Sequence, residues 1–302
     1  MNISNVIQQI NYIDAYLNEK YYERSEIIFC SLVSLIAAEH MLLIGPPGAA
    51  KSSVLDDICD FIREVKLFKW TMNKETKIDE ILGPYEPYRM EYGEYIRLTQ
   101  NKLPEADLAF LDETLRATGD TLNSLLEIMN ERTFIQNNIS TKVPLISLFG
   151  ATNSYPKDED IQALYDRFLV RIRIDYIKES DNLRGLLTQK PKSSDEVLGS
   201  ITLEDIKQLR LEMKKVQVPE LIIDMIIKMR DQLFKKEIFP SDRRLRNSLN
   251  LLRAAAVVRG RNIVEVSDLY LLKHVFWLYE KDQDDVNEIV THVIEKEESQ
   301  NE

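Results

Sequence analysis

The stretch Gly45-Pro46-Pro47-Gly48-Ala49-Ala50-Lys51-Ser52, entered straight from the apolar run Met41–Ile44, constrains this chain more than any other. An apolar run that turns through glycines into a Lys-Ser pair and then a helix-like segment is the layout of a phosphate-cradling loop, G-x-x-x-x-G-K-[ST]. Such a loop needs a strand before it and a helix after it, and so an α/β sheet. Gly45, Lys51 and Ser52 fit the pattern, whereas Ala50 stands in place of its second glycine. Pro46 and Pro47 stiffen the turn, and Gly48 can take the positive φ that lets successive N–H groups converge on phosphate oxygens. Lys51 offers a point charge, Ser52 a hydroxyl ligand for Mg2+, and the helix start a positive dipole end. Read as the first residue of that helix, Ala50 needs only ordinary helical angles, and its methyl is tolerated. Gly45, Pro47, Gly48, Ala49, Ala50, Lys51, Ser52 and Ser53 are the candidate nucleotide contacts.

A second run, "DLAFLDE", reads as a buried strand ending in Asp112 and Glu113, about sixty residues beyond Ser52. Adjacent carboxylates at the end of an apolar strand are costly unless a cation is near. Beside a phosphate loop the first, Asp112, would hold Mg2+ together with Ser52, and the second, Glu113, would orient and polarise an attacking water. A third apolar run, "LISLFGATN", ends in Asn153, whose neutral amide can hold that water or a γ-phosphate.

Between these runs lie helical patterns. Strands are expected over 40–44, 65–71, 107–112, 145–152 and 169–176, which makes a mostly parallel sheet. Beyond the polar stretch 188–200, strand-like alternation stops. Ile222, Met225, Ile226, Met229 and Leu233 recur there at helical spacing. The expected division is an α/β core over 1–187, a linker over 188–200 and a helical domain over 201–302. Of the 302 residues 44% are hydrophobic, enough for one or two cores, and no run approaches the ~20 apolar residues of a membrane helix. The N-terminus lacks the basic start and apolar centre of a secretion signal, so a cytoplasmic location is expected. Cys30 and Cys59 sit in apolar helical contexts as reduced core residues, and two cysteines with three histidines make no evident zinc site. A net charge of -11 argues against wrapping nucleic acid, although the arginine-rich stretch Arg243–Arg261 could form a local basic face.

Taken together, "GPPGAAKS", "LGPYEP", "YIRLTQNKLPEADLAFLDE", "LNSLLEIMNERTF", "GATNSYPKDEDIQALYDRFLVR" and "SDRRLRNSLNLLRAAAVVRGR" resemble the AAA+ ATPases, and within them the MoxR family in its RavA-like branch. The resemblance spans nearly the whole chain. It implies a five-stranded parallel sheet flanked by helices, an all-helical lid, and ATP or ADP with Mg2+ bound in a homo-hexameric ring. It makes Lys51 and Ser52 the Walker A pair, Asp112 and Glu113 Walker B, and Asn153 sensor 1. Tyr22 and Glu23 become candidate adenine contacts, and Arg243 or Arg246 the lid arginine, with Arg244 beside them and Ser241 as the helix cap. Arg167 becomes an arginine finger reaching a neighbouring subunit, with Arg132 and Arg171 as competitors. It also implies hairpins at 90–99 and 133–144 facing a pore or partner. The activity implied is ATP hydrolysis driving remodelling of a protein client, or metal or cofactor insertion, with a von Willebrand factor A domain partner. A nucleotide-gated assembly module and a DNA-acting motor are the alternatives. Longer RavA-like proteins carry a further C-terminal region that this sequence lacks.

Overall fold

A computed structural model describes residues 3–156, 159–188 and 199–301. In chain order the elements begin with α1 (Ile3–Lys20), α2 (Ser25–Ala37), β1 (His40–Ile44), α3 (Lys51–Asp60), β2 (Ile62–Arg63), β3 (Leu67–Thr71), α4 (Ile78–Leu82), α5 (Pro87–Met90) and β4 (Leu108–Asp112). They continue with α6 (Gly119–Glu131), β5 (Thr133–Gln136), β6 (Ile139–Lys142), β7 (Ser147–Thr152), α7 (Glu159–Arg167), β8 (Phe168–Arg173) and α8 (Ser180–Thr188). The last are β9 (Ile201–Thr202), α9 (Leu203–Met213), α10 (Glu220–Lys235), α11 (Asp242–Val258) and α12 (Gln283–Asn301).

By packing, the chain falls into two compact units that interleave in sequence. One, the sheet unit, holds His40–Phe168 and Ile172–Lys178; the other, the helical unit, holds Met1–Glu39, Leu169–Arg171 and Glu179–Glu302. These limits differ from the expected core of 1–187, because packing gathers the N-terminal helices with the C-terminal ones. The expected linker lies outside the described residues except for Thr188, Gly199 and Ser200.

The sheet is five-stranded and parallel, in the order β3-β4-β7-β1-β8. Strands β1 and β7 are buried along their whole length, the mark of a sheet covered on both faces. The registers pair Thr71 with Asp112 and Ile44 with Thr152, so four strands, β3, β4, β7 and β1, deliver their C-terminal ends to one edge. That edge is where ligands sit in open α/β sheets. Each strand expected from the sequence is present. The ladders are shorter than expected for β3, which starts at Leu67, for β7, which starts at Ser147, and for β8, which ends at Arg173, although single backbone hydrogen bonds continue beyond them at Lys66, Ile146 and Ile174.

His40 anchors β1. Its Nδ1 accepts from Leu148 N at 2.9 Å, which puts the ring proton on Nε2, 3.1 Å from the Met129 carbonyl that it donates to. Burial first, and the Arg132 charge second, hold the ring's pKa well below the usual 6.5. Strands β5 and β6 form the expected hairpin, turned by Asn137 and Asn138 at φ 47 and 63. The hairpin expected at 90–99 is not a ladder. Pro87 opens the short α5, and one antiparallel bridge, Tyr85 to Arg97, closes the segment. There the Arg97 guanidinium lies 4.0 Å from the Tyr85 ring centroid.

In the helical unit α10 buries Ile222, Met225, Ile226, Met229 and Leu233, the face its spacing predicts. Ser241 Oγ accepts from Arg244 N and caps α11 as expected. Arg244 is 2% exposed and donates to the Leu169 and Val275 carbonyls at 2.7 and 2.9 Å. Asp268, fully buried, accepts from Arg261 at 2.7 and 3.0 Å and pairs with Arg259, which stacks on Phe29. Cys30 and Cys59 are buried free thiols, and burial pushes Cys59 up to about 12.

Candidate active site

The loop leaving β1 is shaped by a close approach. A Cβ on Gly45 would lie 2.2 Å from the Ile174 carbonyl oxygen, so no side chain fits there. Gly48 takes φ +78, as its sequence position suggests. Ala50 departs from its expected geometry. It is the residue before α3 and sits at φ 63, ψ 23, in the left-handed region, where an L-residue is strained. The missing glycine is therefore tolerated at a conformational cost. Gly48 and Ala50 both take positive φ, the kind of local bend from which anion-binding backbone turns are built. Ala49 is buried, and the Pro47 carbonyl accepts from the Tyr176 hydroxyl at 3.1 Å.

Lys51 opens α3, 6% exposed, with burial lowering its pKa against the opposing pull of Glu113 and Asp112. Its Nζ donates to Gly45 O at 2.7 Å, Pro46 O at 2.8 Å and Asn153 Oδ1 at 2.8 Å. Asn153 in turn donates from Nδ2 to Glu113 Oε1 at 2.6 Å. Ser52 Oγ donates to Asp112 Oδ2 at 2.9 Å, and Asp112 Oδ1 accepts from Glu113 N at 2.9 Å. Three separate stretches of sequence thus meet through consecutive hydrogen bonds. Glu113 is itself left-handed at φ 50, the kind of strain that concentrates at working sites.

The donor set fits a magnesium–nucleotide pair. A serine hydroxyl beside a carboxylate is hard oxygen chemistry, and Mg2+ usually takes one or two protein oxygens and completes its shell with water and phosphate. No cluster of three or more His, Cys, Asp or Glu suited to a metal occurs among the described residues. Glu113 Oε2 is buried and meets no aligned hydrogen-bond donor among the described residues.

Arg167 ends α7, with Nη1 3.5 Å from Asp166 Oδ2. Of its competitors, Arg171 is 1% exposed, donates to the Trp277 carbonyl and lies over the Trp277 ring, so it is built into the interior. Arg132 donates to the Ile146 carbonyl. In the helical unit Tyr22 packs against Gly185, and Glu23 accepts from Glu179 N and Asn182 Nδ2 at 2.9 and 3.0 Å. Glu23 therefore caps the start of α8, a role its sequence position does not reveal. Arg243 and Arg246 are both exposed on the first turns of α11, while Arg244 is the interior one. Two residues near the loop were not singled out by sequence: Tyr176, and Arg116, whose Nε lies 3.2 Å from Glu113 Oε2. The i,i+3 spacing from Glu113 was the available signal for Arg116.

Residues 8–212 match a family model described as the MoxR domain in the MoxR-vWA-beta-propeller ternary systems, and residues 221–290 match an AAA lid domain. An uncharacterised protein of Methanocaldococcus jannaschii is 33% identical over 293 residues, covering 95% of this chain and 73% of its own length. Another from the same organism is 35% identical over 262 residues, covering 86% and 69%. A solved Cytophaga hutchinsonii structure described as a candidate ATPase superposes with a TM-score of 0.75 at 17% identity, over 97% of this chain and 96% of that one. At that identity the likeness shows the fold.

Proposed function

Because the chain belongs to the MoxR family of AAA+ ATPases, we propose that it binds ATP with Mg2+ and hydrolyses it to ADP and phosphate. The observation that carries the reading is the linked set Lys51–Asn153–Glu113 beside Ser52–Asp112. Lys51 and the loop N–H groups hold the β- and γ-phosphates. Ser52 and Asp112 hold the metal, which supplies charge neutralisation on the phosphate oxygens. Glu113 takes a proton from water as its oxygen bonds to the γ-phosphorus and the β–γ bridging bond breaks. Asn153 orients that water without adding charge. Arg167 comes to the γ-phosphate of the next subunit in a ring, for which a homo-hexamer is our reading. Tyr22 and Glu23 contact the base, and Arg243 or Arg246 serves as the lid arginine.

In this proposal the functional domains are the core over 1–187, the linker over 188–200 and the lid over 201–302. Hydrolysis drives remodelling of a protein client, or insertion of a metal or cofactor, with a von Willebrand factor A partner. The description of the matched family model, which names such a partner, supports this, and membership of the RavA-like branch is part of our reading. A cytoplasmic setting suits that work. No helix among the described residues is long and apolar enough to cross a membrane. The test is Glu113→Gln, which keeps the shape of the side chain but cannot take a proton. Phosphate release is expected to fall on the order of a hundredfold or more, with ATP still bound. Unchanged turnover would remove Glu113 from the chemistry.

A further inference from the structure

Glu113 has two oxygens, and they are treated differently. Oε1 accepts a short hydrogen bond from Asn153, 2.6 Å long. That leaves Oε2 as the oxygen able to take a proton from water. The Arg116 Nε sits 3.2 Å from it, yet its N–H is not aligned as a hydrogen bond, so the contact is one of charge. A guanidinium beside a carboxylate attracts it and draws it toward itself. Arg116 is also the outermost link. Its side chain is 58% exposed and lines an open concavity of about 770 Å3 together with Asn73, Lys74, Thr118 and Ile161. A continuous series of polar contacts therefore runs from the loop lysine through Asn153 and Glu113 to the surface, all within the sheet unit.

We propose that Arg116 is a positioning residue that restrains Glu113, holding Oε2 against its guanidinium and away from the water it must activate. The restraint is releasable by construction. It is an unaligned ion pair, partly in solvent, and the guanidinium can leave Glu113 for another anion without disturbing the fold around it. The proposal rests on Glu113 being the base for hydrolysis.

The experiment measures steady-state ATP hydrolysis and equilibrium ATP binding for Arg116→Ala, Arg116→Lys, Glu113→Gln and the double variant Glu113→Gln/Arg116→Ala. Arg116→Ala is expected to raise kcat roughly twofold to fivefold, the range a partly exposed ion pair supports, with KM and the ATP dissociation constant unchanged. Arg116→Lys keeps the charge and should stay near the parent. In the Glu113→Gln background, Arg116→Ala should change nothing, because the residue acts only through the carboxylate. A lower or unchanged kcat in Arg116→Ala overturns the restraint, as does a gain that persists without Glu113. If Glu113→Gln alone leaves turnover intact, it is the assignment of the base that fails. A dead Glu113→Gln with an unraised Arg116→Ala defeats the restraint only.

Discussion

Two clusters of charge in this molecule look alike on a residue count and behave as opposites. In the sheet unit, Lys51, Glu113 and Arg116 are joined through Asn153, side chain to side chain. In the helical unit, Arg171 and Arg244 donate to main-chain carbonyls, and Asp268 is locked by two arginines and the Glu265 amide. A carbonyl of a packed backbone cannot move away, so charges held that way are part of the framework. Side chains tied to one another can exchange partners, and the Glu113 carboxylate even keeps one oxygen without an aligned donor. Lys51 has both kinds of partner, since its Nζ also donates to the Gly45 and Pro46 carbonyls, so what sets the sheet-unit cluster apart is its exchangeable Asn153–Glu113–Arg116 link.

The comparison makes predictions of decreasing size. Arg167→Ala should cut hydrolysis by about a thousandfold with ATP binding intact, as loss of a finger does. Mixing it with Lys51→Ala protein should restore some activity at interfaces that combine an intact loop with an intact arginine. Full activity of the single variant, or no recovery in verified mixed rings, would reject Arg167. Asp268→Asn should cost roughly 3 kcal/mol in denaturant unfolding, near the low end for a broken buried pair because the Arg259 side chain is 39% exposed. Fully cooperative unfolding at the parent midpoint would contradict the framework role. Lys51→Ala should weaken ATP binding by about a hundredfold while moving stability by less than about 1 kcal/mol, since it removes a buried charge held mainly for the ligand. Parent-like affinity in a titration would refute the loop assignment.

His40 sharpens the point, because it lies in the sheet unit yet has main-chain partners on both nitrogens. It should behave as framework. Its folded pKa is depressed, so between that value and about 6.5 the unfolded chain binds the extra proton. Its contribution to stability is complete above about pH 6.5 and is lost below it, by at most about 1.4 kcal/mol per pH unit. Unfolding curves at pH 7.5 and 5.5 for the parent and His40→Gln should show a shallower pH dependence in the variant; equal slopes would contradict this. The smallest effect is Ala50→Gly, expected to stabilise by up to about 1 kcal/mol through relief of the left-handed backbone, checked by thermal unfolding. A loss of stability would mean that Ala50 is not strained.

Much of this was legible in the sequence, because the sheet is built from continuous apolar runs that end in polar residues. Asp112, Glu113 and Asn153 each mark a strand end, and the register of β3, β4, β7 and β1 brings those ends together. What could not be read was conformation and distance in space. A motif names Ala50 without its φ, and it sits before the helix rather than in it. Arg116 is three residues from Glu113, but only the turn Thr114–Arg116 brings its guanidinium back to the carboxylate. The packing of the first 39 residues with the C-terminal helices joins stretches far apart in the chain, which no local pattern records.

The approach of the Ile174 carbonyl to Gly45 carries a consequence for descent. Gly45 is fixed by the close approach of a neighbouring backbone, whereas the Lys51 ammonium is held by hydrogen bonds to the Gly45 and Pro46 carbonyls and to Asn153 that a fold without a nucleotide could forgo. A lineage that abandoned the nucleotide would let Lys51 and Glu113 drift within the surviving sheet, and the glycine would persist as the fossil of a loop that no longer held anything.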